Sequence, residues 1–262
     1  MDSYTLRARV VPASLVVFPF VLGLVLSNPS AADTLRVVAV LVLSGGPAYL
    51  AASAISDAGR ALEKKLYAEW GGKPTTQALR LTPSDPKVTP IWSDTDWIHK
   101  NRGKLEQLLG VNLPTREEEA DKDKQEQVSN AYDRAVAEAR GRTRDQQRFY
   151  LLHTANLDFG FRRNTLALKK WGVVAAVTTF VMLGVYWIVE PLPRSLTAWF
   201  VQIVATLGVV AYAYFWFGIV TKGWVKHAAK TYTEQLLEAV AGLAQTPKES
   251  EQGDGKRQPE PH

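Results

Sequence analysis

The 262-residue chain contains no cysteine. That removes disulfides, thiolate metal sites and thiol nucleophiles together, and leaves the compartment open. Histidine is scarce. His99, His153, His227 and His262 stand apart, and none has a second His or a carboxylate at a metal-ligand spacing such as HExxH, so each reads as a surface or capping residue. No GxSxG elbow occurs. The paired acids of SDTDW, Asp94 and Asp96, have no further carboxylates beside them, and helix capping by Ser93 or Asp94 explains them better than a metal site. A nucleophile, a base and an orienting partner cannot be assembled from this inventory, so an enzyme is not expected and no cofactor is implied.

Charge is also missing, and its absence has a pattern. Val10 to Leu26 and Trp171 to Val189 carry no charge, nor does Leu196 to Val220, and Leu35 to Ile55 carries only Arg36 at its start. An apolar run of about 18 residues crosses a hydrocarbon core about 30 Å thick at roughly 1.5 Å per residue. Three of the blocks meet that length and the first is marginal. The first also fits the core of a signal peptide, with Arg7 and Arg9 before it and Ser30-Ala31-Ala32 as a small-residue cleavage site, but its length favours a retained anchor. With no Asp, Glu, Lys or His inside these runs, a proton-coupled carrier is disfavoured. Gln202 and Thr206 share one face of the fourth block and are candidates for a helix interface or a pore lining. Gly45, Gly46 and Pro47 should bend or loosen the second block.

Lys and Arg flank the blocks unequally. Arg7, Arg9, Arg60, Lys64, Lys65, Arg162, Arg163, Lys169, Lys170, Lys222, Lys226 and Lys230 fall on one side, and only Arg36 and Arg194 on the other. The positive-inside bias therefore puts both termini and residues 57–170 in the cytoplasm, with SNPSAAD and EPLPRS as outward turns. Trp171, Trp187, Trp199 and Trp224 lie near block ends, where an amphipathic ring suits the headgroup level. The expected fold is an all-α membrane protein of the inner (plasma) membrane. It has a first hairpin over 1–56, a helical cytoplasmic insert over 57–170, a second hairpin over 171–221 and a tail over 222–262 that is helical and then disordered.

Within the insert, Leu62, Leu66 and Trp70 recur at i, i+4, i+8 as one buried stripe. Residues 82–92 hold three prolines and form a loop; Ser93 to Leu109 resumes a helix. Thr115 and Glu118 form a capping box, expected to open the longest helix, in which Val128, Tyr132, Ala135, Val136 and Ala139 make the buried face. Arg140, Arg144 and Arg148 would share a face of that helix. The net charge of +5 is too mild to argue for duplex nucleic acid.

LYAEWGGKPTTQALR, residues 66–80, invites comparison with a phosphate loop. The P-loop spacing fails, because Tyr67 and Pro74 stand where a glycine and a Ser/Thr are needed. Gly71 and Gly72 suit a helix stop and Pro74 a helix start, so the stretch is first a corner. A second reading keeps Trp70, Lys73, Thr75 and Thr76 as ligand contacts, joined by Arg162 and Arg163 of FGFRRN, since guanidinium groups beside rings grip phosphates and stack on bases.

Together, LYAEWGGKPTTQALR, the PTREEEA…AYDRAV…RTRD run and NLDFGFRRNTLALKKWG resemble a family of uncharacterised bacterial membrane proteins with WGGKPTT and YGFRRN-type motifs flanking a helical insert. The likeness covers roughly residues 57–172, with Phe159 in place of the tyrosine. It implies architecture and no activity. The layout is also similar to membrane effectors of antiphage defence, which sense a nucleotide signal and permeabilise the membrane. Two functional expectations follow. One is an oligomeric pore-forming or membrane-perturbing effector whose cytoplasmic domain senses a nucleotide or oligonucleotide. The alternative is a membrane-anchored adaptor or scaffold whose cytoplasmic helices dock a cytosolic protein partner.

Overall fold

The computed structural model describes residues 6–17, 46–83, 87–189 and 196–245. Most of the first two apolar blocks, Gly45, Arg36, Arg194, the residues 30–32, both outward turns and the tail from 246 lie outside these residues. Gly46 and Pro47 enter only as backbone at the start of a helix. Among the described residues every regular element is helical and none is a strand. A π-helical turn Leu6–Val10 leads into helix α1 over 11–17. Helices α2 (Gly46–Glu69), α3 (Pro74–Gln77), α4 (Thr95–Leu109), α5 (Arg116–Ala120), α6 (Gln125–Arg142) and α7 (Tyr150–Ala167) follow. The described chain ends with α8 (Lys169–Val189), α9 (Leu196–Tyr214) and α10 (Lys222–Gly242).

Contacts divide the chain into two compact units, Met1–Trp70 with His153–Tyr232, and Gly71–Leu152 with Thr233–His262. The sequence limits at 57 and 170 mark where charge begins. The packing limits mark where contacts cluster, and they leave 57–70 and 153–170 with the apolar helices.

In the first unit, α8 and α9 pack against each other, and the Trp187 and Trp199 rings, near the C-terminal end of α8 and the N-terminal end of α9, lie 6.1 Å apart. Their outer surface is apolar and bare: Trp171 is 66% exposed, Ile188 84% and Leu196 89%, and Phe180, Met182 and Phe200 are exposed as well. A contiguous apolar surface of this kind on a water-soluble monomer would be an association site or a membrane contact. By length and composition one helix among the described residues can cross a membrane, Gln202–Ile219, with mean hydropathy 1.5. Only 11% of that window is buried, unlike the core helix of a soluble protein. Tyr150–Ala167 and Lys169–Val185 pass the same test only as a pair bent by 62°.

The other helices of the unit gather at one end of the α8–α9 pair. Asn164, 1% exposed, donates from its side-chain amide to the Ala8 carbonyl at 2.7 Å, and a Cβ on Gly59 would lie 2.0 Å from Asn164 Oδ1. Tyr212 Oη donates to Leu15 O at 3.0 Å, tying α1 to α9. Trp216 is fully buried with Ala176 and Val220, and Leu15, Val16 and Val173 pack on the same cluster. A second cluster joins α2, α7 and α10: Leu66, Trp70, Phe159, Val225, Ala228 and Ala229, with Leu62 and Tyr232 at its edge. The i, i+4, i+8 stripe of α2 is thus the buried face the sequence predicts.

The breaks between helices have local causes. Near Leu168 the chain turns by 62°; Thr165 Oγ1 donates back to Phe161 O at 2.8 Å, a pattern that bends helices, and Lys169 Nζ reaches across to the Val220 carbonyl at 2.6 Å. On the facing chain, α9 ends in a π-helical turn Phe215–Ile219, closed by Val220 N donating to Phe215 O at 3.0 Å.

In the second unit, Asp94 caps α4, accepting from Trp97 N at 3.0 Å, and Gly110 ends that helix at φ 67°. The five buried positions expected on the long helix are the five buried on α6. Two expectations there are corrected. The capping box of Thr115 and Glu118 is present, but it opens the short α5 and not the longest helix. The chain leaves helical geometry at Asp121 (ψ 115°), makes the 3-10 turn Lys122–Lys124 and then starts α6. Two contacts hold the break: Asp121 Oδ1 accepts from Asp123 N, and the Gln125 side-chain amide donates to the carbonyls of Glu119 and Asp121. Second, α6 stops at Arg142, where Thr143 Oγ1 donates to Ala139 O at 2.8 Å. Arg144 and Arg148 therefore lie beyond that helix and do not share a face with Arg140; Arg148 instead donates to Gly242 O at 3.1 Å.

Candidate functional site

The WGGKPTT corner is built by backbone conformation. α2 ends at Glu69; Gly71 and Gly72 take φ 78° and 129°, values that L side chains rarely adopt. Lys73 is extended, and Pro74 occupies the first turn of α3, where its missing N–H costs nothing. Gln77 pins the corner, donating to Gly72 O at 3.0 Å and accepting from Ile91 N at 3.3 Å. A phosphate cradle needs unoccupied backbone N–H groups, whereas those of Thr76 and Gln77 both donate to Lys73 O at 3.0 Å.

The side chains proposed as ligand contacts all have neighbours. Trp70 is buried in the α2–α7–α10 cluster, 6.1 Å from the Tyr67 ring. Lys73 Nζ meets Asp133 Oδ1 and Oδ2 at 2.8 and 2.7 Å. Thr75 is buried and Thr76 half-buried. Arg162 pairs with Asp158 at 2.8 Å, donates to Trp224 O at 3.2 Å and lies 5.1 Å from the centre of the Trp224 ring. Arg163 pairs with Glu63 and stands 5.8 Å from the Phe159 ring centre. Trp70, Arg162 and Arg163 belong to the first unit, and Lys73, Thr75 and Thr76 to the second. Each of the three cations has its own carboxylate, so none contributes surplus positive charge. Gln202 and Thr206 are half-buried on α9, and the Thr206 hydroxyl donates to Gln202 O at 2.8 Å within that helix.

A buried ionic network in the second unit escaped the sequence reading. Arg102 and Glu119 are 3.6 Å apart, with side chains 8% and 0% exposed. Arg102 donates to Leu79 O at 2.6 Å, Pro114 O at 2.5 Å and Tyr132 Oη at 2.8 Å. Glu119 accepts from Leu81 N, from the amide and hydroxyl of Thr82, and from the Tyr132 hydroxyl. Burial and then Glu119 push the Tyr132 phenol above its ordinary range, so it stays a neutral donor. With both charges paired and hydrogen-bonded, the network joins α4, α5, α6 and the loop after α3 as a structural staple. The signal available was Tyr132 on an otherwise apolar stripe, since a phenol in a core needs a partner.

Among the described residues no group of three or more His, Cys, Asp or Glu could hold a metal ion. A cleft of about 220 Å³ lies beside Leu113, Pro114, Glu118, Lys124, Val128 and Ala131, and its Glu118 is already engaged in the capping box. No protein-family model matches the chain, and comparison with curated proteins and with solved structures finds no match either.

Proposed function

We propose that the chain is a non-enzymatic, four-span protein of the inner membrane with both termini in the cytoplasm, and that it acts as a membrane-anchored adaptor whose cytoplasmic helices dock a protein partner. The observation that carries the membrane part is the bare apolar surface of the α8–α9 pair. The 21 residues of α8 span about 31 Å, enough to cross a hydrocarbon core about 30 Å thick, with Trp171 and Trp187 toward its two ends. Close contacts of Asn164 with both Ala8 and Gly59, and of Gly172 with Trp216, support the pairing of chain segments that two hairpins require.

The adaptor reading is preferred to the effector reading because Lys73, Arg162 and Arg163 face Asp133, Asp158 and Glu63. One observation favours the second reading, an oligomeric pore gated by a nucleotide-like anion. Arg162 and Arg163 lie against Trp224 and Phe159, and a more highly charged anion that displaced their carboxylates would find rings to stack on. Bilayer conductance of the purified protein separates the two. Silence with every nucleotide and oligonucleotide tested supports the adaptor. Gated current that Lys73→Ala with Arg163→Ala abolishes would overturn it.

A further inference from the structure

Counting basic residues near span ends treats them all alike, but the structure sorts them. Arg60 pairs with Asp57 at 2.6 Å, Lys222 with Glu69 at 2.7 Å, Arg162 with Asp158 and Arg163 with Glu63, while Lys169 caps the Val220 carbonyl. Those five charges are satisfied inside the protein. Four others are not: Lys64, Lys65 and Lys170 are exposed, Lys226 is half-buried, and none faces a carboxylate among the described residues.

All four sit at the gathered end of the first unit. Lys170 precedes the exposed Trp171, at the end of α8 where Gly172 meets Trp216. Lys64 and Lys65 follow Gly59, which abuts Asn164, and lie off the Leu62, Leu66, Trp70 face of α2. Lys226 lies in the second turn of α10, next to the buried Val225. Unpaired ammonium groups near a bare apolar surface favour an anionic headgroup as neighbour, and a long lysine stem can rest on apolar groups while its head reaches out.

We propose that Lys64, Lys65, Lys170 and Lys226 form a collar that engages anionic phospholipid headgroups at the cytoplasmic face; the proposal rests on the membrane-spanning reading above. The four lysines come from three different helices, α2, α8 and α10. A soluble phosphate compound needs convergent donors, whereas a lipid leaflet offers a separate phosphate to each lysine. Trp171, at the expected headgroup level, is part of the same surface. Arg162 and Arg163, which the positive-inside bias counts with these lysines, stay outside the collar because their charges are internally paired.

The test measures the preference of full-length protein for phosphatidylglycerol over phosphatidylcholine by native mass spectrometry from detergent, with K64Q/K65Q/K170Q/K226Q as the variant. Wild-type protein should retain the anionic lipid selectively, each lysine contributing about fivefold. The quadruple variant should lose most of that selectivity, and the four single variants should each lower it, so that a folding failure of the quadruple variant leaves the answer intact. Displacement of the lipid by inorganic phosphate at matched ionic strength would identify a soluble-anion site and overturn the proposal. No selectivity in wild type, or selectivity kept by all variants, would also overturn it. Alkaline carbonate treatment of membranes tests the underlying reading separately: release of the chain defeats the spanning topology, and retention without lipid selectivity defeats the collar alone.

Discussion

Gly172 lies against the face of Trp216, so close that a Cβ on the glycine would sit 2.2 Å from the indole ring. The first turn of α8 and the end of α9 meet there with no atom to spare, and Trp216 is fully buried by the contact and its neighbours. Gly172→Ala should therefore destabilise the detergent-solubilised protein by about 1–3 kcal/mol, the usual cost of overpacking. Pairing it with Trp216→Leu should recover part of the lost melting temperature. A Gly172→Ala protein as stable as wild type would mean that the two helices separate more readily than their packing implies.

The Arg102–Glu119 staple predicts an asymmetric response. Glu119→Gln leaves a buried guanidinium without its counter-charge and should cost about 3–5 kcal/mol. Amide exchange over α4 and α6 in the full-length protein should accelerate strongly, with little change over α8 and α9. Uniform acceleration across the whole chain would show that the staple supports more than its own unit.

At the capping box, Thr115→Ala should cost about 1 kcal/mol, seen as a lower urea midpoint. The backbone N–H of Thr115 holds the Glu118 carboxyl below its ordinary value. A group whose folded-state value is depressed contributes stability above its unfolded value of about 4.3 and loses it as pH falls through the folded value. Glu118→Gln should remove that acid-side component, leaving a flatter stability profile between neutral pH and the carboxylate range.

Lys73 and Asp133 are both about half exposed, so their ion pair is worth roughly 0–1 kcal/mol. Reversing both charges, Lys73→Asp with Asp133→Lys, should restore whatever either single reversal removes, in thermal unfolding and in any partner binding. If the double reversal restores stability and leaves partner binding abolished, Lys73 contacts the partner directly.

What could be read from the chain alone follows from the range of each interaction. The stripes of α2 and α6, the Asp94 cap, the glycine stop and the Pro74 start are short-range effects of periodicity and φ preference, and they appear where residue spacing places them. The break at Asp121 was hidden because a good capping box looks the same before five helical residues as before twenty. What ends α5 is the Gln125 side chain folding back onto Glu119 and Asp121. Pairing was equally hidden. Nothing near Lys73 in sequence announces Asp133, and Glu63 is a hundred residues from Arg163, so charges that looked available were already engaged.

The bend at Leu168 and the π-helical break before Val220 stand side by side, cross-tied by Lys169 to Val220 and by Arg162 to Trp224, with Phe161 and Trp224 edge to face at 6.0 Å. Two hinges fastened to each other have fewer freedoms than two hinges apart. If α7 swings relative to α8, it carries the start of α10 with it. Displacement of one stem is then a concerted rocking of both, and in the membrane-spanning arrangement proposed above the α8–α9 pair would be levered as a single body.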